Sequence, residues 1–416
     1  MKVVIFEDEG LDGFGPLTRM RHLSLLRWGT KRLLDALVEK IPDARDVTLW
    51  GRPELSAVTK AETGKPYNEK VYGPAFLVNA RARPTEGLLL PASWSEPFVA
   101  ISDGQLVAAR LDTVPLKPGG IGKNDVKGLV RKTRKVDAPS EQLFRGYWDL
   151  IASNGLAIAG QARKVEETPT LARSVEVRGP AANLIIDPGA DIEGQVALDA
   201  RLGPIVIGEG ASIESFSRVM GPCFIGARTK VFSALVGGGT SLFETCKVGG
   251  QVENSIILPY TNKAHHGYIG DSYVGSWVNL GAGCTFSNLK NTYGNVRVNV
   301  GGKRTDTGMM KLGPAVGDMA KLSIGSLVFA GKFVGVGSHL SGLGGTDVPS
   351  FTYSDSGRDT LVELLFESVV ETQRRMMERR GLTLSRGEEI LIRKAYRETA
   401  TERRRAGAKK GQIPRS

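Results

Sequence analysis

Aliphatic residues recur at every sixth position through the middle of the chain. The five runs of this repeat are Ile186, Ile192 and Leu198; Ile207, Ile213, Val219, Ile225 and Val231; Val236, Leu242 and Val248; Val274 and Leu280; and Val316, Leu322, Val328, Val334 and Leu340. A helix repeats its apolar positions about every 3.6 residues and a strand every two, so a period of six fits neither element alone. Short strands joined by tight turns, with one inward side chain per hexad, do fit it. The pattern therefore predicts a hexapeptide β-solenoid over residues 181–350.

Two irregularities interrupt the repeat. Val248 and Val274 are separated by two residues more than a multiple of six, which predicts a bulge around the sequence PYTNKAHHG. Between Leu280 and Val316 the period is kept, but the segment is polar and glycine-rich and puts Arg304 at an inward position. We expect this second segment to leave the solenoid wall as a loop and to return, and such excursions often carry function.

The region before the solenoid has a different pattern. Residues 1–120 contain the strand candidates KVVIF, VTLW, FLVNA and QLVAARL, a helical segment between the first two, and a hairpin turn at Ser102, Asp103 and Gly104. This combination predicts an α/β domain. Residues 121–180 are interpreted as a helical connector.

Residues 351–416 are predicted to form C-terminal helices and a basic tail. The first helix is expected from about Asp359 to Arg380 and is ended by Gly381. A second helix is expected to begin with the capping box Ser385-Arg386-Gly387-Glu388.

Most of the net charge of +11 lies at this end of the chain. After residue 370 there are fourteen Lys and Arg against six Asp and Glu. A segment with Arg403, Arg404, Arg405, Lys409 and Lys410 could follow the phosphates of nucleic acid or an anionic membrane. No aromatic residue lies between these charges, as a single-strand binder would need, so a solvated helix end is the favoured interpretation. Neither nucleic acid nor a membrane is expected as a partner.

The cysteines and the hydropathy pattern indicate the compartment. Cys223, Cys246 and Cys284 are odd in number and far apart, which predicts buried thiols and neither a disulfide framework nor a thiolate metal site. The chain has no run of eighteen apolar residues and its start lacks the pattern of a signal peptide, so a cytoplasmic protein is expected. No metal site is predicted, although Asp8 would be a candidate ligand if the first domain transferred nucleotides.

One segment, AHHGYIGDSYVGSWVNLGAGCTFSNLKN, combines the hexad repeat with a set of polar residues and glycines. The histidine precedes a tyrosine by three, a Gly-Asp pair follows, and an asparagine before a Gly-Ala-Gly loop is followed nine residues later by a second asparagine. These residues are His265, Tyr268, Gly270, Asp271, Asn279, Gly281, Ala282, Gly283 and Asn288. The pattern resembles the acetyltransferase half of the bifunctional UDP-N-acetylglucosamine diphosphorylase/glucosamine-1-phosphate N-acetyltransferase family, and the resemblance spans about residues 180–345.

This resemblance implies a specific architecture and chemistry. It implies an α/β nucleotidyltransferase-like domain, a left-handed parallel β-helix and C-terminal helices, assembled as a homotrimer with the active site between neighbouring β-helices. The implied substrates are acetyl-CoA, an amino-sugar phosphate, and UTP or another nucleoside triphosphate. Mg²⁺ would be needed only if the nucleotidyltransferase domain is active.

The chemistry of acetyl transfer supports the same residues. Acetylation of an amine by a thioester needs a base and a stabilised oxyanion, and histidine suits the base role near neutral pH. His265 is therefore the predicted base. Tyr268, Asn279, Asn288 and Lys263 are predicted to bind the acceptor, and Gly281, Ala282 and Gly283 are predicted to lie beside the thioester, where backbone N–H groups can approach closely. A structural role for His265 and turn roles for Tyr268 and the two asparagines are the alternatives, and His266 is expected to face solvent or to support the site from behind.

The N-terminal segment GPLTRMRHLSLLRWG resembles the start of divergent members of this family. The shared residues are Pro16, Leu17, Thr18, Arg21, Arg27 and Gly29. Arg21 and Arg27 are candidates for binding nucleotide phosphates, and a network of surface ion pairs would explain them equally well.

Two phosphate-binding lysines of the family are missing. No lysine follows the glycine-rich start at the family's spacing, which argues against uridyl transfer. Ser255 lies near the position of the lysine that holds the sugar phosphate in the acetyltransferase half. Lys247, Lys263 or Arg304 would then replace that lysine, or the acceptor differs.

The sequence thus predicts an acetyl-CoA-dependent N-acetyltransferase for an amino-sugar phosphate, fused to a nucleotidyltransferase-like domain. The alternatives are a non-catalytic sugar-nucleotide-binding or scaffold protein on the same fold, or nucleotidyltransferase activity alone.

Overall fold

The computed structural model describes residues 1–84, 96–114, 119–163 and 169–411. Within them it contains an α/β domain, a left-handed parallel β-helix and a C-terminal helical region, as the sequence predicts. No helix among the described residues is long and apolar enough to cross a membrane. The three cysteines are buried thiols, as expected.

The N-terminal domain is built on a six-stranded sheet. Its strands, in spatial order, are Asp46–Trp50, Lys2–Phe6, Ala75–Asn79, Gln105–Leu111, Phe98–Ser102 and Arg134–Asp137. The first three are parallel, and the predicted hairpin at Asp103 is confirmed by the pairing of Ser102 with Gln105. The sheet is accompanied by helices α1 (Leu33–Glu39) and α2 (Ser56–Thr63) and by a short hairpin of Arg27–Trp28 with Lys31–Arg32.

The segment 121–180 contributes to three parts of the molecule. It contains helices α3 (Lys123–Lys132) and α4 (Tyr147–Gln161), as a helical connector would. It also supplies the sixth strand of the N-terminal sheet, which runs beside Phe98–Ser102. Its last strand, Glu176–Arg178, already pairs with the β-helix.

The β-helix has three faces of short parallel strands. The first face consists of Leu184–Ile186, Ile205–Ile207, Cys223–Ile225, Thr240–Leu242, Ile256–Ile257, Tyr273–Val274, Ala315–Val316 and Phe333–Val334. The second consists of Asp191–Ile192, Ser212–Ile213, the first halves of Lys230–Val236 and Lys247–Glu253, Asn262–Lys263, Asn279–Leu280, Lys321–Leu322 and His339–Ser341. The third consists of Glu176–Arg178, Ala197–Asp199, Arg218–Met220, the second halves of the two long strands, Tyr268–Gly270, Thr285–Phe286, Leu327–Val328 and Leu343–Gly344.

The aliphatic hexad positions form the interior of the β-helix. All of them are buried in one continuous core except Ile192, which is partly buried against it. The predicted bulge after Val248 is wrong. Between Val248 and Val274, successive inward-facing residues are four to six residues apart and make five steps, whereas the prediction assumed four steps of six residues and a two-residue insertion. The two five-residue steps turn at Asn254 and Asp271, whose φ values are 41° and 48°. Asn and Asp adopt this left-handed conformation more readily than most residues, so these corners need fewer residues.

The excursion between Leu280 and Val316 is present. After Thr285–Phe286 the chain leaves the wall, forms the antiparallel hairpin of Arg297–Val300 with Lys303–Asp306, and returns at Ala315. Arg304 is exposed on this hairpin, so its expected inward position is wrong. The distance in sequence from Leu280 to Val316 is a multiple of six only because the loop happens to have that length.

The C-terminal region differs from the prediction in two places. A strand precedes the first helix, and the expected solvated helix end is wrong, because Arg403 is buried and Lys409–Lys410 form a strand. The residues Thr360–Glu363 form a strand, antiparallel to Thr352–Asp355, and helix α5 begins only at Phe366 and ends at Glu378. The hairpin contact with the end of the β-helix overrides the local helical pattern. Helices α6 (Arg386–Glu398) and α7 (Ala400–Arg405) follow, and the predicted capping box at the start of α6 is confirmed. The strand Lys409–Lys410 returns to pair with Val362–Glu363, and the last five residues lie outside the described part of the chain.

The N-terminal domain packs on the outer side of the first face of the β-helix. Phe243, Ile256 and Tyr273 belong to the same buried cluster as the core of the N-terminal domain. The Tyr273 hydroxyl accepts a hydrogen bond from the backbone N–H of Arg27 (2.9 Å) and donates one to its carbonyl (2.9 Å). The C-terminal helices pack on corners between the first and second faces, at Met319, Val336 and Trp277. The third face has an open groove near its centre.

Candidate functional site

The two histidines lie at the corner between the second and third faces. Residues 264–267 connect Asn262–Lys263 to Tyr268–Gly270, and both His265 and His266 are exposed there. The corner is packed closely on the preceding coil, since a Cβ on Gly250 would lie 2.8 Å from the carbonyl oxygen of Gly267. Gly250 also has a φ of +70°, so only glycine suits this position. The absence of a side chain at Gly250 therefore lets the preceding coil lie directly against the backbone of the histidine corner.

The Gly-Ala-Gly loop lies on the other side of this corner. The N–H of Gly283 donates to the carbonyl of His266 (2.9 Å). The Nε2 atom of His266 lies 3.5 Å from the position that a Cβ on Gly283 would occupy. The imidazole that lies against the loop is therefore that of His266, whereas the predicted base is His265.

Lys263 lies inside the coil. It pairs in register with Val248, an inward position, and its Nζ donates to the carbonyls of Gly249 (2.7 Å) and His265 (2.9 Å). Burial lowers the pKa of Lys263 to about 8. The predicted contact of this lysine with a substrate at the surface is not formed. Lys263 instead holds the backbone of His265 against the preceding coil.

Tyr268 and Asn288 are brought together on the third face. The side-chain amide of Asn288 donates to the Tyr268 hydroxyl (3.0 Å) and to Asp271 (2.5 Å), which also accepts from Asn254 (2.6 Å). Burial, followed by the charges of Glu253 and Asp271, raises the pKa of Tyr268 to about 12. The hydroxyl therefore stays protonated at neutral pH and can serve as a hydrogen-bond donor.

Asn279 lies around the corner from this pair. It is on the second face, and its side-chain oxygen accepts a hydrogen bond from Asn262 (2.8 Å) in the neighbouring coil. It belongs to a ladder of polar side chains along that face, not to the cluster around Tyr268. The sequence motif thus divides between two faces, with the histidine corner between them.

A groove of about 540 Å³ runs across the third face beside Tyr268. Arg218, Leu235, Gln251 and Tyr268 form one row of register partners along it. With neighbouring strands about 4.8 Å apart, the row spans about 14 Å. The cation of this row, Arg218, also donates to Asp199 (3.3 Å).

The sequence motif does not single out Arg218, Gln251 or Glu253 as site residues. The signal that could have revealed them is the length of a coil. Asn254, Asp271 and Asn288 follow one another at intervals of seventeen residues, as do the register partners Arg218 and Leu235. Residues seventeen apart are therefore neighbours across a face, which the six-residue period alone does not reveal.

Large apolar side chains are exposed on the coils that follow the groove. Ile324 is 78% exposed and Leu327 46%, and Leu327 is the register partner of Thr285 in the groove. Phe329 and Leu343 extend the same surface. Leu327 and Leu343 are register partners, and large exposed apolar patches are typical of interaction sites.

The N-terminal candidates lie elsewhere. Arg21 forms an ion pair with Asp318 (2.7 Å) and Arg27 one with Glu244 (2.7 Å), and both carboxylates belong to the β-helix. Of the two interpretations of these arginines, the ion-pair network is the one that is formed. Pro16, Leu17 and Thr18 are buried beneath it.

The carboxylate of Asp8 is also hydrogen-bonded to protein groups. It accepts hydrogen bonds from Arg81 (2.5 and 2.8 Å), from Asn79 (2.8 Å) and from the backbone N–H of Gly10 (3.0 Å). A carboxylate neutralised by a buried arginine does not suit a divalent cation. The surroundings of Asp8 therefore do not fit Mg²⁺.

Several curated proteins are similar to this chain in sequence. The bifunctional sugar-1-phosphate nucleotidylyltransferase/acetyltransferase of Sulfurisphaera tokodaii is 37% identical over 98 residues, covering 23% of this chain and 24% of that protein. The bifunctional protein GlmU of Azoarcus sp. is 36% identical over 201 residues, covering 43% and 40%. That of Methylobacillus flagellatus is 29% identical over 198 residues, covering 44% and 39%. The chain thus matches about a quarter to two fifths of the length of these relatives.

Two further comparisons add little. No family model matches the chain. The UDP-N-acetylglucosamine acyltransferase of Francisella novicida, a solved structure, is 15% identical over 53% of this chain and 86% of that one, with a TM-score of 0.27.

Proposed function

We propose that this chain, a divergent relative of the bifunctional sugar-1-phosphate nucleotidylyltransferase/acetyltransferases, transfers the acetyl group of acetyl-CoA to the nitrogen of an amino-sugar phosphate. The observation that carries the proposal is the histidine corner. It lies between the Gly281–Gly283 loop and the Tyr268–Asn288 pair, at the edge of an open groove. A base, backbone donors and neutral hydrogen-bonding groups are therefore within one small region.

The reaction assigns a role to each part of this corner. The exposed imidazole of His265 accepts the proton that the amine must lose as its lone pair attacks the thioester carbonyl. The C–N bond forms, the tetrahedral oxyanion collapses, the C–S bond breaks, and coenzyme A leaves as a thiol. The N–H groups of Gly281 and Gly283 already donate to the carbonyls of Leu322 and His266, so the N–H of Ala282 is the donor of this loop that we propose for the oxyanion.

Lys263 and Tyr268 support this chemistry in different ways. Lys263 anchors the backbone carbonyl of His265 from inside the coil and so fixes where the imidazole projects. Tyr268 offers a protonated hydroxyl to the amino-sugar substrate, and a hydrogen bond from Asn288 holds this hydroxyl in place. Precise placement of both groups matters because misplacement by about 1 Å can cost a hundredfold in rate.

Arg218 is the proposed partner of the sugar phosphate. A charge-assisted hydrogen bond is worth about 1.5–3 kcal/mol, so Arg218→Ala is expected to raise KM for glucosamine-1-phosphate about tenfold to a hundredfold. KM for acetyl-CoA should not change. The matched control is Arg201→Ala, which removes the other arginine bonded to Asp199 but lies outside the groove. Equal effects of the two substitutions on KM would place the phosphate elsewhere.

The N-terminal domain is proposed to transfer nucleotides slowly or not at all. Arg21, Arg27 and Asp8 are engaged by protein groups, and cationic contacts to phosphates are worth orders of magnitude in phosphoryl-transfer rates. With glucosamine-1-phosphate, acetyl-CoA, UTP and Mg²⁺, we expect pyrophosphate release to be at least about a hundredfold slower than thiol release. Both products are to be followed separately in one reaction. Comparable rates would show that the domain contains a working nucleotide site.

The exposed apolar surface beside the groove is proposed as a contact between copies of this chain. A triangular β-helix has flat faces, and the patch of Ile324, Leu327, Phe329 and Leu343 adjoins the site. We expect light scattering to return the mass of a homotrimer at micromolar concentration. Ile324→Glu should shift the mass toward the monomer, because burying an unpaired charge is costly. A monomeric native protein would contradict both the trimer and a site shared between copies.

A further inference from the structure

A cavity of about 320 Å³ lies where the N-terminal domain, the β-helix and the C-terminal helices meet. It shares no residue with the groove on the third face. The β-helix contributes the corners at Tyr260, Trp277 and Asp318, and helices α5 and α6 contribute Gln373 and Leu391. A half-open cavity of this size is within the range of small-molecule sites.

Two buried acceptors in this cavity have no hydrogen-bond partner among the described residues. Asp318 is 3% exposed, and its Oδ1 accepts from Arg21 (2.7 Å) and from the N–H of Ser276 (2.7 Å), whereas its Oδ2 accepts from no group. Gln373 is 2% exposed, and its Oε1 is likewise unpaired. An unsatisfied buried acceptor costs about 1–3 kcal/mol. Both atoms would therefore gain a hydrogen bond from a donor on a bound molecule.

The charge of the lining excludes an anion. Two arginines face four carboxylates, and both arginines are already paired with two of them. The remaining carboxylates are those of Glu62 and Glu388. A phosphate would be repelled, while a neutral or cationic group that donates hydrogen bonds would be favoured.

An aromatic platform forms one wall. The rings of Tyr260 and Trp277, from consecutive coils, are stacked with centroids 4.3 Å apart and planes within 1°. Both side chains are partly exposed toward the cavity. A flat ring can extend such a stack, and base–aromatic stacking is worth about 1–3 kcal/mol.

We propose that this cavity binds a flat heterocycle of nucleobase size that carries an amino group and no phosphate. The two N–H bonds of the amino group donate to Asp318 Oδ2 and Gln373 Oε1, and the ring stacks on Trp277. The site is independent of the acetyl-transfer reaction and lies across the junction of all three parts of the molecule. A bound ring would therefore tie these parts together.

Cytidine and uridine test the proposal on the intact protein. Cytosine has an amino group where uracil has a carbonyl, so only cytidine can place two donors against the unpaired acceptors. Calorimetric titration should show cytidine binding at least about tenfold tighter than uridine, because a site that requires donors rejects an analogue lacking them. Cytidine should also bind more tightly than its 5′-monophosphate, because the carboxylates of the lining repel a phosphate. Equal affinities, or no binding of cytidine at millimolar concentration, would overturn the proposal.

Two variants and a control locate the bound ring. Gln373→Met should weaken cytidine binding about tenfold, because it removes one acceptor while keeping the side-chain length. Asp318→Asn should reduce the preference for cytidine over uridine, since it replaces an acceptor with a donor. Gln251→Met makes the same chemical change in the third-face groove and should leave cytidine affinity unchanged. If Gln251→Met weakens binding instead, the nucleoside occupies the groove and the proposed cavity site is wrong.

Discussion

Replacing His265 with alanine is expected to lower the turnover of acetyl transfer by about 10² to 10⁴, the usual contribution of one acid–base group. The affinity for acetyl-CoA should change little, because the Gly281–Gly283 loop and the groove remain in place. The measurement is thiol release at saturating acetyl-CoA and glucosamine-1-phosphate, together with a binding titration of acetyl-CoA. The exposure of His265 makes a large effect on stability unexpected.

His266→Ala is the matched control. Both histidines are exposed and adjacent, but only the ring of His266 lies against Gly283. Its replacement should affect turnover much less, and any effect should fall on KM for acetyl-CoA. Equal losses of turnover from both substitutions, or losses that follow a lowered melting temperature, would show that the pair is structural.

Arg403→Ala is expected to destabilise the protein by about 3–5 kcal/mol, the cost of removing one partner of a buried charged network. Arg403 is 1% exposed, donates to Thr399 (2.7 Å) and to the carbonyl of Tyr396 (2.8 Å), and forms an ion pair with Glu363 (3.1 Å). Its guanidinium also lies 4.3 Å from the centre of the Tyr396 ring. The free energy of unfolding, measured by denaturant titration, gives the result.

Arg404→Ala controls for the loss of charge alone. Arg404 is next in sequence and exposed, and within the described part of the chain its side chain donates only to Thr401 on its own helix. Its replacement should change the free energy of unfolding by less than about 1 kcal/mol. Similar values for the two substitutions would mean that the C-terminal helix is not anchored through Arg403.

The six-residue period predicts the β-helix because each hexad position has the same surroundings. Ile207, Ile225 and Leu242 all point into one narrow apolar interior, so the constraint appears directly in the sequence. The strand at Thr360–Glu363 could not be predicted in the same way. It forms because Thr352–Asp355, at the end of the β-helix, offers an unpaired edge, and nothing local records that contact.

The composition of the site was easier to predict than its geometry. The motif singles out Tyr268 and Asn288, which do meet, because their spacing is set by one coil and its corner. Lys263 shows the limit of that reasoning. A lysine at an inward position is contrary to the apolar pattern, and its role becomes clear only from the carbonyls of Gly249 and His265 that it binds.

Arg21 and Arg27 show a second limit. A pair of arginines after a glycine-rich turn suits phosphate binding or ion pairing equally. The choice depends on Asp318 and Glu244, which lie more than two hundred residues away in sequence. Only the packing of the N-terminal domain on the β-helix brings these charges together.

The most direct test of acetyl transfer is the chemical form of the product. Incubation of the protein with glucosamine-1-phosphate and acetyl-CoA labelled with ¹³C at the carbonyl should convert the thioester signal into an amide signal in the ¹³C NMR spectrum. The amide should form in a one-to-one ratio with free thiol, and its formation should depend on both substrates. Two results would contradict the assignment of the histidine corner as an N-acetyltransferase site. One is thiol release without formation of an amide, and the other is loss of the thioester no faster than in a protein-free control.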